Sequence, residues 1–222
     1  MINFKRNLKI ILISIVIFLF FLWYVHLEVG KVSPRLFNKA TADTSIVLLG
    51  LTLLIGPFTR LYDRFDEVLA HRKLLGIYAF FFGLTHTLIT LFVTGSLSRY
   101  FSKFNPAPVA GLLAIIIMLI LYAFSFEKII AKLARKTWWK IQYQGLRLVT
   151  LLALTHVVLL KISRWFPLKP DSLIPASLTV FVFILYVLLV RLAELLPPPI
   201  AKKLVIVFSS LLPISLLVLF LT

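Results

Sequence analysis

The chain has 222 residues, 61% of them hydrophobic, with no cysteine and a formal net charge of +16. Soluble domains lie nearer half apolar, so this is the composition of an integral membrane protein, with no polar stretch long enough for a large water-facing domain. The missing cysteines exclude disulfides, iron–sulfur clusters and thiolate metal sites. The basic excess would suggest nucleic acid in a soluble chain, but here it sits in short loops between apolar runs, which excludes a nucleic-acid partner and is how helical membrane proteins orient themselves.

A membrane-crossing helix needs about 20 mostly apolar residues. The first run, 8–26, follows basic residues and could mimic a signal peptide. His26, Leu27 and Glu28 come next in place of a small-residue cleavage site, so a retained helix is expected, with Trp23, Tyr24 and His26 at its boundary. The second run, 44–60, is short and ends at Gly56-Pro57. Asp63, Asp66 and Glu67 follow and read as solvated balance for Arg60 and Arg64. The third run, 74–95, carries His86 in its middle. Asn105-Pro106-Ala107-Pro108 introduces the fourth, 109–126. Trp138 and Trp139, an interfacial anchor, introduce the fifth, 141–161, which carries Arg147 and His156. The sixth, 173–191, is separated by Pro197-Pro198-Pro199 from the seventh, 203–222.

No internal repeat or interdomain linker is visible. The expectation is one domain over 1–222, an all-α integral membrane protein built as a bundle of six to seven transmembrane helices. The amino terminus and the loops after runs two, four and six hold 15 Lys and Arg, against 8 on the opposite side. Positive-inside places the amino terminus in the cytoplasm and the chain, multi-pass, in the cell membrane.

An ionisable group deep in a span is costly and marks a site by default. His86 lies 12 residues past Leu74, about 18 Å along a helix, and His156 lies 15 past Ile141, about 22 Å. Both runs start from the same side, so the two imidazoles share a depth. At helical spacing Gly76, Ala79, Gly83 and His86 fall on one face, as do Gln142, Gly145, Val149 and His156, with Ala153 beside the latter. Two accounts fit. The small residues let helices pack closely while each histidine hydrogen-bonds across an interface, or the pair ligates a haem iron axially with small residues beside the flat macrocycle. Matched depth and the lack of an intramembrane carboxylate to pair with favour the haem. It requires runs three and five to be adjacent and roughly parallel.

The stretches "HRKLLGIYAFFFGLTHTLITL" (71–91), "VAGLLAIIIMLILYAFSF" (109–126), "WWKIQYQGLRLVTLLALTHVVLL" (138–160) and "LLGLTLLIGPFTRL" (48–61) together resemble the ferric-reductase-like transmembrane family. Within it they are most similar to the haem-binding membrane subunits of bacterial methionine sulfoxide reductase systems. The resemblance covers about 45–191 and leaves 203–222 as an extra helix. It implies b-type haem on His86 and His156, the metal ligands, with electrons crossing the membrane from a cytoplasmic flavin or quinol donor to an extracytoplasmic acceptor such as a methionine sulfoxide reductase or ferric iron.

This sequence also departs from the family. Relatives place another histidine 13 residues before the last one, where this chain has Tyr143 after Gln142. His71 stands near an inner ligand of two-haem relatives, so a second haem would need His71 with glutamine or tyrosine opposite. One haem is expected.

Arg147 falls half a turn away from His156; it reads as snorkelling to the interface, or as holding a propionate, quinone or flavin phosphate. No nucleophile–base set, phosphate-cradling loop or nicotinamide fingerprint is present. The chain therefore reads as an electron-transfer subunit with a redox partner protein rather than a self-contained enzyme. A transporter would show paired charges or broken helices in related halves; a haem-free structural or assembly subunit is the alternative.

Overall fold

A computed structural model describes residues 4–62, 65–94, 106–166 and 173–221, without the side chains of 4–6, 66, 94 and 218–221. Among these residues all regular secondary structure is helical. Seven helices are long and apolar enough to cross a membrane: α1 (Phe4–Val29), α2 (Pro34–Leu61), α4 (Arg72–Thr94), α5 (Pro106–Ala123), α7 (Arg135–Trp165), α8 (Ala176–Ala193) and α9 (Pro198–Leu221). Two single turns, α3 (Asp66–Leu69) and α6 (Glu127–Ile130), lie in connections. In hydrocarbon every backbone polar group must be satisfied internally, which such apolar runs achieve as helices. The protein is an all-α, multi-pass membrane protein, with lipid against its outer faces.

The second helix differs most from expectation. It starts at Pro34 and runs for 28 residues, straight through Gly56 and Pro57. Gly30 ends α1 at φ +74, its N–H donating to His26 O at 2.8 Å, a conformation that glycine adopts without strain. Ser33 then caps α2 by accepting from Leu36 N at 3.4 Å, and Pro34 occupies the first turn, where no N–H is needed. The helix extends ten residues before the expected run, and the polar groups of 38–45 are satisfied inside the protein. Thr41 donates to Phe37 O at 2.9 Å and Thr44 to Ala40 O at 2.7 Å. Ser45 donates across to Ala79 O of α4 at 2.7 Å, and Lys39 meets Glu28 of α1 at 2.6 Å. This helix is the centre of the bundle, packed against α1, α4 and α8, with Leu48, Leu49 and Leu53 in the core beside Ala79 and Val149.

Hydrogen bonds between helices fix the antiparallel order. Asn38, early in α2, bonds Thr90, late in α4, at 3.0 Å, and Gln142, early in α7, bonds Leu121 O, late in α5, at 3.0 Å. The near end of the bundle is the one where α1 begins; the far end is where α2, α5 and α8 begin. At the near end Arg191 and Glu194 form a buried pair at 2.6 Å, with Arg60 reaching Glu194 at 3.6 Å. Arg60 thus finds a carboxylate at α8's end; Asp63, Arg64 and the Asp66 side chain lie outside the described residues.

The expected adjacency of runs three and five needs correction. The helices α4 and α7 are not a closely packed pair. α4 packs on α2 and α5, α7 packs mainly along α5, and a cavity opens between them. The gap follows from the side chains: two imidazoles project into the space where a helix contact would otherwise close.

Candidate functional site

That cavity, of about 350 Å³, is lined mainly by α2, α4, α5 and α7, with Glu28 of α1 and Ser177 of α8. Helical spacing explains which residues reach it. Gly83, His86, Thr87 and Thr90 share one face of α4, and Val149, Ala153, His156 and Leu160 share one of α7. The rings of His86 and His156 face each other with centres 6.4 Å apart and planes inclined by 72°. His86 Nδ1 lies 3.1 Å from Asn38 O, and His156 Nδ1 lies 2.7 Å from Ala107 O. A carbonyl only accepts, so both Nδ1 atoms carry the proton and both Nε2 atoms present a lone pair. Two helix starts, those of α2 and α5, therefore set the tautomer of both imidazoles.

Gly111 makes the second of these bonds possible. A Cβ on it would lie 2.7 Å from His156 Nδ1 and 2.9 Å from Cε1. It sits one turn after Ala107, so its bare Cα leaves the Ala107 carbonyl open to the ring. The other glycines act differently. A Cβ on Gly83 would meet Ser45 Oγ at 2.9 Å and Ile115 at 3.4 Å, so although Gly83 lines the cavity its main service is close contact with α2 and α5. Gly145 is pressed against Leu121 of α5, its Cβ position 2.6 Å from Leu121 Cδ2, and lines neither cavity described here. A Cβ on Gly76 would lie 3.6 Å from Thr52 Cγ2, and Gly76 lines a second cavity. Ala153 does line the histidine cavity.

The far end of the cavity is charged: Glu28, Arg35, Lys39, Asp43 and Lys161 all reach it. The expectation of no intramembrane carboxylate is overturned by Asp43, 7% exposed, on α2 one turn from Lys39. It was missed because the second span was taken to begin at Thr44.

The second cavity, about 260 Å³, lies toward the near end, lined by Arg72, Lys73, Gly76, Phe80, Trp138, Trp139 and Gln142 among others. Met118 lines both cavities, so they lie in line along α4, α5 and α7. No histidine is among the described lining residues. His71 sits in the turn before α4, its Nδ1 buried and without a hydrogen-bond partner. Gln142 spends its amide on Leu121 O. Tyr143 receives a 2.6 Å hydrogen bond from Arg147, and its ring lies 4.0 Å from the Arg147 guanidinium and 4.7 Å from that of Arg191. Arg147 is thus held by Tyr143, one turn closer to the near end. Trp138 and Trp139 do more than anchor an interface, since both wall this cavity, and Trp138 Nε1 donates to Phe124 O at 2.8 Å.

Fold and site define a class: a polytopic helical membrane protein with a paired-imidazole cavity between its third and fifth spanning helices. Residues 41–154, just over half the chain, match the ferric reductase like transmembrane component family, and the chain belongs to that family. The match contains His86 and stops two residues short of His156. The chain is also 30% identical over 106 residues to the protein-methionine-sulfoxide reductase heme-binding subunit MsrQ of Ralstonia nicotianae, covering 46% of this chain and 48% of that protein. The match thus spans about half the length of that relative.

Proposed function

We propose that this chain is a membrane b-type cytochrome in which His86 and His156 hold the iron of one haem b. The observation that carries the reading is the facing pair of imidazoles, each with Nδ1 committed to a backbone carbonyl. Metal-bound histidines characteristically donate their other ring N–H to a carbonyl or carboxylate, which fixes ring orientation and raises basicity. The ring centres stand 6.4 Å apart, a separation that admits a metal between the two imidazoles. Among the described residues no group of three or more His, Cys, Asp or Glu is placed to hold a bare metal ion, so two imidazoles suit a metal whose remaining ligands come with a macrocycle. The relative named as a heme-binding subunit supports the same cofactor.

When bound, the haem supplies one-electron chemistry; the chain's residues orient it and keep the site dry. His86 and His156 would hold the iron, and the carbonyls of Asn38 and Ala107 hold their rings. Leu49, Ile115, Met118 and Val149 supply an apolar wall. Since no imidazole is among the described residues lining the second cavity, a second haem there has no comparable ligands. Its flat aromatic walls with Arg72, Lys73 and Gln142 suit the ring and polar edge of a flavin or quinone donor. With the basic near end in the cytoplasm, electrons enter from that side and leave at the far end to an extracytoplasmic partner, such as a methionine sulfoxide reductase, or to ferric iron.

A visible spectrum of the purified protein tests the reading. Sharp low-spin b-type bands are expected on reduction, lost in His86→Ala and in His156→Ala and unchanged in His71→Ala. A preparation without a Soret band, from cells supplied with haem, would refute the cytochrome and leave the structural or assembly subunit standing.

A further inference from the structure

Five charged side chains share the far end of the histidine cavity, and their pairing is uneven. Glu28 and Lys39 satisfy each other at 2.6 Å, and the second Glu28 oxygen accepts the Ala176 N–H at 3.4 Å. Arg35 lies in the first turn of α2, at the mouth. Lys161 forms no ion pair with a described carboxylate, although it lines the cavity. It follows His156 by five residues on the same helix, about 7.5 Å along the axis toward the far end. Asp43, the other carboxylate lining the cavity, is not within ion-pair distance of it either. At the far boundary of its span Lys161 is only part-buried, and it lines the cavity without a described counter-charge. Lys161 and Asp43 are held close to a common space without closing on one another, which leaves Lys161 free to take an anion there.

We infer that Lys161 is the positioning residue that receives a carboxylate of the cofactor bound between His86 and His156. This rests on the haem reading, in which the carboxylates are the two propionates on one edge of the macrocycle. That edge then faces the far end, where Arg35, Lys39 and Lys161 outnumber Glu28 and Asp43. On the α2 side Lys39 is already taken by Glu28, so the propionate goes to the free cation on the α7 side, Lys161. The site thereby selects one orientation of an otherwise nearly symmetrical disc.

The test titrates haem and its dimethyl ester, in which both carboxylates are masked, into haem-depleted protein in detergent, with Soret absorbance as the readout. The wild type should bind the free acid about ten- to a hundredfold more tightly than the ester, the range expected of a charge-assisted hydrogen bond. Lys161→Met should bind acid and ester alike, and Lys161→Arg should restore the preference. Should the methionine variant fail to accumulate, Lys161→Gln carries the same comparison. Equal wild-type affinity for acid and ester would overturn the inference, and so would an undiminished preference in the Lys161 variants. A Lys161 that only neutralises Asp43 would lose its effect in an Asp43→Asn background and show no ester discrimination, which also overturns it. Failure of the wild type to bind either compound would instead remove the haem reading on which the inference stands.

Discussion

Gly111→Ala isolates how the second imidazole is held. The added methyl carbon would stand 2.7, 2.9 and 3.2 Å from Nδ1, Cε1 and Cγ of His156. Non-bonded heavy atoms settle at about 3.5–4.0 Å, so the ring must retreat by the better part of an ångström. It cannot do so freely, because Nδ1 is tied to Ala107 O at 2.7 Å on the same helix as the new methyl. Retreat stretches that bond past the usual limit of about 3.2 Å. A buried donor left unpaired costs about 1–3 kcal/mol, and loss of such an outer hydrogen bond on a metal-binding histidine typically costs about 10–100-fold in metal affinity. Haem affinity of the purified variant should therefore fall by about one to two orders of magnitude, with low-spin bands weakened or turned high-spin. Gly145→Ala is the control. Its methyl meets the movable end of Leu121, 2.6 Å from Cδ2, so it should lower thermal stability by overpacking, about 1–3 kcal/mol, and leave the spectrum intact. Wild-type haem affinity and spectrum in Gly111→Ala would refute the reasoning, as would equal haem loss in both variants.

Crosslinking tests the helix arrangement on a chain that has no native cysteine. A Cβ on Gly83 lies 3.9 Å from Ser45 Cβ, close to the disulfide mean of about 3.8 Å, so Ser45→Cys with Gly83→Cys should oxidise readily. Gly83→Cys with Ala153→Cys should not, because the cavity separates α4 from α7; the reverse result would disprove the gap. Glu194→Gln strips the buried Arg191 of its carboxylate, both side chains being 6% exposed, and should cost about 3–5 kcal/mol. A thermal unfolding assay in detergent reads it, and an unchanged midpoint would show that Tyr143 alone suffices for that guanidinium. Gly56→Ala should destabilise mildly by crowding Arg191 Nη1, 3.3 Å from the new methyl, with haem content unchanged.

Hydropathy is a property of some twenty neighbouring residues, so the sequence by itself determined that the chain is a helical membrane bundle, and roughly where its spans lie. It also singled out His86 and His156, because a polar ring in the middle of an apolar run is visible without knowing what surrounds it, and because equal distance from two loop boundaries is arithmetic along the chain. The same local averaging hid the first ten residues of α2. Asn38 and Lys39 look like a loop until Glu28, Thr90 and His86, from 11 to 52 positions away, are brought beside them. Tertiary structure alone decided which glycine serves which neighbour. Gly83, Gly111 and Gly145 are alike in sequence, yet a Cβ on each would meet a hydroxyl, an imidazole and a leucine respectively. It also decided that α4 and α7 face each other across a cavity instead of touching, that Tyr143 is held between two arginines, and that Asp43 and Lys161 reach the histidine cavity. Each of these depends on the rotation of one helix against another, a quantity that the spacing within a single helix does not contain.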